Sequence, residues 1–342
     1  MRVTLKMIAQ RAGVHISTVD KVIHDRGGVS KEVADNIRAI IEELGYRPNP
    51  AGRALQRSSR TYRISVLMQD VDAQPYIEEG IRAELADVDF NVEAVFKKTS
   101  FLDVEGQAVL LEEAVREKVD GIILLPINSR RVEEAVDLAG KQKIPVITVD
   151  SDLRRSTRLC HVGQDPVKGA RIAGRMMGLF LRGKGKAAVI TNSLDPEMFH
   201  DQVKTRETQF TTFLSENYPD IRIVRVVEGF ENRETTYRES VKLLREEPEL
   251  QGIFIACGGV DVVGRAIREA GRELRTSVVS FEGYPEILDL IRDQVVDCTI
   301  ACDLQEMGRR CVQLMMEDLV YANPPEKERF FMEERILVKE SL

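Results

Sequence analysis

The chain has 342 residues, 43% hydrophobic and 31% charged, a balance that excludes a disordered polypeptide and allows two or three compact units. No apolar run approaches the roughly 20 residues of a membrane helix, and the opening MRVTLKMIAQRAG scatters charge where a secretory signal needs an apolar stretch, so a cytoplasmic protein without membrane contact is expected. The net charge of −7 hides a split: residues 1–60 hold eleven Lys and Arg against six acids, which sets a head of +5 on a body of −12, and a basic head suits phosphate where an acidic body does not.

Thr4 caps a first predicted helix whose Leu5, Ile8, Ala9 and Ala12 fall on one stripe, and Gly13 breaks it. A second, HISTVDKVIHD, buries Val19, Val22 and Ile23. Two short helices about a glycine turn make a helix-turn-helix. After the loop RGGV, Ser30 caps a third helix with Val33, Ile37, Ile40, Ile41 and Leu44 inward, closed by Gly45. The second helix leaves His15, Ile16, Ser17, Asp20 and Lys21 outside, placed to enter a major groove, with Thr18 and the helix-start amides set for phosphates. An ordinary three-helix scaffold with a polar outer face satisfies the same pattern.

From Tyr62 the pattern changes. RISVLMQ, FNVEAVF, DGIILLPI, IPVITVD, KAAVIT, IRIVRVV, GIFIACG and SVVSFE read as buried strands between amphipathic helices such as YIEEGIRAELAD. Four strand–helix units in residues 61–160 and four more in 186–285 predict an α/β body of two similar parallel-sheet lobes. A ligand cleft would then be lined from the C-terminal ends of the strands. The five cysteines are expected to be reduced. Cys298 and Cys302 lie in the strand-like run VVDCTIACDL, where four residues span about 13 Å, too far for one zinc, so no metal is expected. No GxGxxG follows the first strand, RGKGKAA lacks the spacing and the Ser/Thr of a phosphate-binding loop, and the four histidines form no nucleophile–base grouping. Neither an enzyme nor a cofactor is expected.

The stretch LKMIAQRAGVHISTVDKVIHDRGGVSKEVADNIRAIIEELGYRPNPAGRALQ resembles, without gaps, the DNA-binding head of the lactose-repressor (LacI/GalR) family. IPVITVDSD, HVGQDPVKGARIAGRMM and the closing ILVKES resemble that family's core, which is similar to periplasmic sugar-binding proteins of type I. The resemblance covers nearly the whole chain. It implies an all-α helix-turn-helix head (1–46), a hinge helix or linker (47–60) and a two-lobed effector-binding and dimerisation domain (61–342). It divides the lobes as about 61–160 with 296–323 and 161–295 with 324–342, with crossings after the HVGQD segment, after the strand ending SFEGYP and near TIACDLQEMG.

The resemblance implies base reading by Ile16, Ser17 and Lys21, and phosphate contact or positioning by Thr4, Thr18, Ser30 and Asn49. The hinge, Asn49–Arg57, would reach the minor groove with Arg53 and with Leu55 as an apolar wedge. His15 stands where the family usually has a Ser or Thr cap, and Asp20 where it usually has Ser. For the effector, Asp150 matches a sugar-hydroxyl acceptor and Arg206 a ligand-facing arginine. Glu282 replaces an Asp, Cys302 a Gln, and Gly258 with Gly259 an Asn–Asp pair. Tyr76, in the loop after the first strand, is placed to stack on a sugar ring or to pack. The implied function is a homodimeric repressor that binds double-stranded operator DNA under control of a small sugar-like effector (sugar, polyol or sugar acid). The alternative, a solute-binding protein for sugar uptake, gains nothing from the basic head.

Overall fold

The computed structural model describes residues 5–23, 28–44, 60–194, 201–230 and 232–342, and the chain forms two compact units, Met1–Arg57 and Ser58–Leu342. In the first, α1 (Leu5–Ala12), α2 (Ile16–Ile23) and α3 (Lys31–Glu43) enclose Ile8, Ala9, Val19, Val22, Ile37 and Ile40. Each helix contributes one stripe, as the apolar spacing requires. Gly13 makes the turn between α1 and α2 at φ 65°, a left-handed conformation that glycine adopts without steric cost. The Val14 amide then donates to the Ala9 carbonyl at 3.0 Å, closing the end of α1.

The second unit holds two six-stranded sheets. Its first strands are β1 (Tyr62–Gln69), β2 (Val92–Thr99), β3 (Gly121–Leu124), β4 (Val146–Val149) and β5 (Cys160–Gly163). β6 (Lys184–Thr191), β7 (Asp220–Glu228), β8 (Gly252–Ile255), β9 (Ser277–Phe281) and β10 (Cys298–Ala301) follow. The short strands β11 (Arg329–Phe331) and β12 (Arg335–Leu337) complete the set. One sheet runs β11-β5-β4-β3-β1-β2 and the other β12-β10-β9-β8-β6-β7. All pairs are parallel except β12 against β10. β3, β4, β8 and β10 are buried along their whole length, which explains their unbroken apolar runs. The helices are α4 (Gln74–Asp87), α5 (Val104–Arg116), α6 (Arg130–Lys141), α7 (Pro166–Phe180) and α8 (Asp201–Asn217). α9 (Arg233–Glu246), α10 (Val260–Glu269), α11 (Pro285–Arg292) and α12 (Leu304–Tyr321) complete them. None of the described helices is long and apolar enough to cross a membrane.

Three connections join the lobes; two fall where expected, after HVGQD and within TIACDLQEMG, and one does not. β5 keeps the chain in the first sheet through Gly163, and Asp165 then caps α7 by accepting from the amides of Val167 and Lys168. No crossing follows Phe281, because Cys298, Thr299 and Ile300 of β10 pair in register with Val279, Ser280 and Phe281 of β9. The return comes after Ala301, where Asp303 caps α12. The 296–323 segment is thus divided between lobes, since β10 completes the second sheet while α12 packs on α4 of the first lobe. There Gly80 and Gly308 let the helix backbones touch: a Cβ on Gly80 would lie 1.9 Å from the Gln305 carbonyl oxygen. The 324–342 tail is divided too, with β11 pairing β5 and β12 pairing β10.

Glu334 sits on that last connection. Its side chain is 1% exposed, with Lys168 Nζ 3.7 Å away, and among the described residues neither carboxyl oxygen has a hydrogen-bond partner. Burial pushes its carboxyl up from 4.5 to about 7, against the pull of Lys168 and Arg206. The folded chain therefore holds a proton that the unfolded chain releases. The resulting stability is complete below about 4.5 and is lost as pH rises through about 7. Glu334→Gln is expected to flatten the pH dependence of unfolding free energy across this window and to raise stability above it. An unchanged slope in denaturant titrations would contradict the assignment.

Candidate functional site

The two units carry different surfaces. In the head, Ser17 and Lys21 are both exposed on α2, four residues apart and so on one face. His15 replaces the usual hydroxyl cap and does its work: Nδ1 accepts the Ser17 amide at 3.3 Å, and the Ser17 hydroxyl lies 2.8 Å from the same nitrogen. Thr18 is half-buried in the first turn of α2. Ser30 caps α3, its hydroxyl 3.4 Å from the Val33 amide. Ile16 opens α2, but its side chain lies outside the described set, as does that of Asp20. Thr4, Asn49, Arg53 and Leu55 lie outside the described residues.

In the body, a cleft of about 510 Å³ opens between the C-terminal strand ends of the two lobes, with Asp72, Tyr76 and Phe101 on one wall and Gly258, Glu282 and Tyr284 on the other. A smaller recess of about 40 Å³ reaches Asp150, Gln202 and Arg206. Contacts between the lobes at the mouth of the cleft include a hydrogen bond and a ring stack. The Gly259 amide, at the start of α10, donates to Asp72 Oδ2 at 3.0 Å. The rings of Tyr76 and Tyr284 stack at 4.8 Å with 6° between planes.

Arg206 organises the recess. It is 3% exposed and lies on α8, with its guanidinium 3.7 Å from the Phe281 ring centroid. It donates to Glu282 Oε1 at 3.0 Å, to Gln164 Oε1 at 2.7 Å and to the Ala256 carbonyl at 3.2 Å. Gln164 also donates to both oxygens of Glu282, at 3.0 and 2.9 Å. With its amide nitrogen turned toward Asp150, Gln202 donates to Asp150 Oδ1 and accepts from Arg206 Nη2, each at 3.0 Å. Asp150 and Glu282 have φ of 62° and 72°. They close β4 and β9 alike, each amide donating to the neighbouring strand at 2.9 Å (Val162 and Ile300 carbonyls). Strained backbone of this kind, repeated in both lobes, marks a constraint beyond packing.

Burial raises both carboxyls, while Arg206 pulls each one down. Burial and then Glu282 push the Cys302 thiol well above 9, and its hydrogen bond to Gln164 ties it to the same network. Asp150, Arg206 and Glu282 thus come together at the recess, and Tyr76 and Gly258 line the wider cleft. Cys302 lines neither and reaches the cluster through Gln164 and its electrostatic coupling to Glu282, Asp150 and Arg206. Sequence reasoning missed Gln164, Gln202, Asp72 and Tyr284. Gln202 was within reach, four residues before Arg206 on the same helix face. For Gln164 the one available signal was its place just before the helix cap Asp165.

Residues 64–320 match the family model of the periplasmic binding protein domain, and residues 4–49 match that of bacterial regulatory proteins, lacI family. The chain is 24% identical over 321 residues to the HTH-type transcriptional repressor PurR of Proteus mirabilis, covering 93% of this chain and 90% of that one. Catabolite control protein A of Priestia megaterium is 26% identical, over 75% and 74% of the two chains. HTH-type transcriptional regulator RegA of Clostridium saccharobutylicum is 30% identical over 44% of each. Among solved structures, GanP, a glucose-galactose binding protein from Geobacillus stearothermophilus, superposes with a TM-score of 0.74 at 23% identity, over 83% of this chain and 99% of that one. A solute-binding protein of Burkholderia graminis in complex with D-arabinose gives 0.75 at 20%, over 82% and 96%.

Arg206→Ala would strand two buried carboxyls. The expected loss is about 3–5 kcal/mol at neutral pH, the usual cost of breaking a buried pair. Without the cation the folded-state proton affinities of Asp150 and Glu282 rise further, so the loss shrinks as pH falls into the ordinary carboxylate range. A loss in denaturant titrations that is the same at both pH values would contradict this account of the recess.

Proposed function

The chain belongs to the lacI family of bacterial regulatory proteins, with a periplasmic binding protein domain as its body, and from that premise we propose a cytoplasmic repressor whose two-lobed cleft senses a small polar metabolite. One observation carries the reading: a helix-turn-helix whose second helix turns Ser17 and Lys21 outward stands on the same chain as a cleft built around buried charges. Ser17, Lys21 and Ile16 read bases in the major groove, and Thr18 and Ser30 position the phosphates. His15, by capping α2, fixes the turn from which those side chains project.

The chain acts as a homodimer, because a two-fold pair of heads matches the two halves of a pseudo-palindromic operator. In the body, Asp150 and Glu282 accept hydroxyl protons from a sugar or polyol, and Tyr76 and Tyr284 offer ring faces. Binding that favours one lobe arrangement shifts the population between arrangements, and only this difference in affinity can alter the hold on DNA. Catalysis has no support from the buried groups. Burial lowers His161 to about 4 and pushes Cys160 up to about 12, so neither is poised as a base or a thiolate. The solute-binding alternative accounts for the body and leaves the head without a task.

Lys21→Ala tests the base-reading assignment. On an operator recovered from a genomic library, affinity should fall by about 1–3 kcal/mol, and selectivity should relax at one base position. Binding by the wild type should weaken steeply with salt, each neutralised phosphate adding about −0.9 to the log–log slope. Full affinity and unchanged selectivity in the variant would remove Lys21 from the readout.

A further inference from the structure

The cleft's charge points to a particular class of effector, an inference that rests on reading the cleft as the sensor. We propose that it is built for an effector bearing a protonated amino group on a polyhydroxylated frame, such as an amino sugar, and that it discriminates against sugar acids and sugar phosphates.

Most of the donors that would receive an anion are already engaged within the protein, and at Arg206 only Nε is left without a partner among the described residues. Arg206, the buried cation, gives its hydrogen bonds to Glu282, Gln164 and the Ala256 carbonyl, with Gln202 linking it to Asp150. Arg233, the other arginine at the cleft, is paired with Asp261. The start of α10, where a free backbone amide would favour an anion, holds Asp72 at 3.0 Å. A carboxylate or phosphate on the ligand that needs more than the single Arg206 Nε donor must displace one of these groups and leave it buried without a partner.

What remains is acidic. Around the cleft and its recess stand Asp70, Asp72, Asp150, Asp261, Glu282 and Glu286, against Arg206 and Arg233. Lys98 offsets Asp70 from 3.0 Å. The Tyr76 hydroxyl feels this field: burial, then Glu286, Asp72 and Glu79, raise it above its ordinary 10.

The walls add a second, independent preference. Phe101 lines the cleft, and Tyr76 and Tyr284 each keep one ring face outside their mutual stack; the negative face of an aromatic ring attracts cations. Phe281 already carries the Arg206 guanidinium at 3.7 Å. Carboxylates and aromatic faces around one polar cavity form a receptor for an ammonium group. The same carboxylates accept hydroxyl protons from the rest of the frame.

The test is thermal unfolding of the full-length chain at neutral pH with three matched series: D-glucosamine, D-galactosamine and D-mannosamine, the neutral parent sugars, and their aldonic acids and sugar phosphates. At least one amine is expected to raise the Tm at about tenfold lower concentration than its neutral parent, a 1.4 kcal/mol preference, while acids and phosphates leave it unmoved. Asp150→Asn and Glu286→Gln should each narrow the amine-to-parent ratio. A neutral sugar equal to its amine, an acid or phosphate that stabilises as well, or a ratio unchanged in both variants would overturn the proposal and leave the cleft as a sensor. Silence from all three series would overturn both.

Discussion

The buried positive charge of Arg206 sets the terms for the cleft. A guanidinium withdrawn from water must be paired and hydrogen-bonded, or it costs several kcal/mol. Here it is paired from several sides: Glu282 from the end of β9, Gln164 from the first connection between lobes, and Asp150 of the other lobe through Gln202. The hydrophobic sheets could pack in more than one relative pose. The charged cluster is less forgiving, because a small displacement leaves a carboxyl unpaired. In that sense Arg206 links the geometry of the lobes to the chemistry of whatever enters between them.

The two lobes answer this constraint in parallel. Asp150 and Glu282 hold corresponding places, each at the end of a strand, each in a left-handed backbone conformation, each amide tied to the neighbouring strand. A repeated fold thus delivers two acids to one point from opposite sides. The contacts that bridge the cleft are few and polar or stacked: Asp72 to the Gly259 amide, Tyr76 on Tyr284. Such contacts cost little to break compared with an apolar core, as the proposed shift between lobe arrangements requires.

Much of this was legible in the sequence, for physical reasons. The head was read through its stripes, since Ile8, Val19, Val22 and Ile37 follow helical spacing and all are buried. Strands such as β3, β4 and β8, although only four residues each, announced themselves as apolar runs because both faces are covered. The connections were harder. β5 is CHVG, with no apolar run to mark it, and β11 and β12 are three residues each, too short for periodicity to register. The crossing expected after Phe281 failed because pairing of β10 with β9 depends on a neighbour distant in sequence. Single charges at strand ends, Asp150 and Glu282, and the arginine on a helix were found by resemblance. The glutamines and Asp72 that complete the cluster carry no pattern of their own, since an exposed and a buried Gln look alike until the chain is folded.

If the cleft governs the head, then fixing the cleft must change the hold on DNA, whatever the natural effector is. A Tyr76→Cys, Tyr284→Cys double variant replaces the stacked pair with thiols that can lock the lobes on oxidation and free them on reduction. Operator affinity of the full chain would be measured in both states, with the cross-link verified by peptide mapping. The locked and released forms should differ in operator affinity by about 5- to 150-fold, the range of ordinary allosteric coupling. Equal affinity in the two states would mean that the cleft and the DNA-binding head act independently, and the account of this chain as a metabolite-controlled repressor would be wrong.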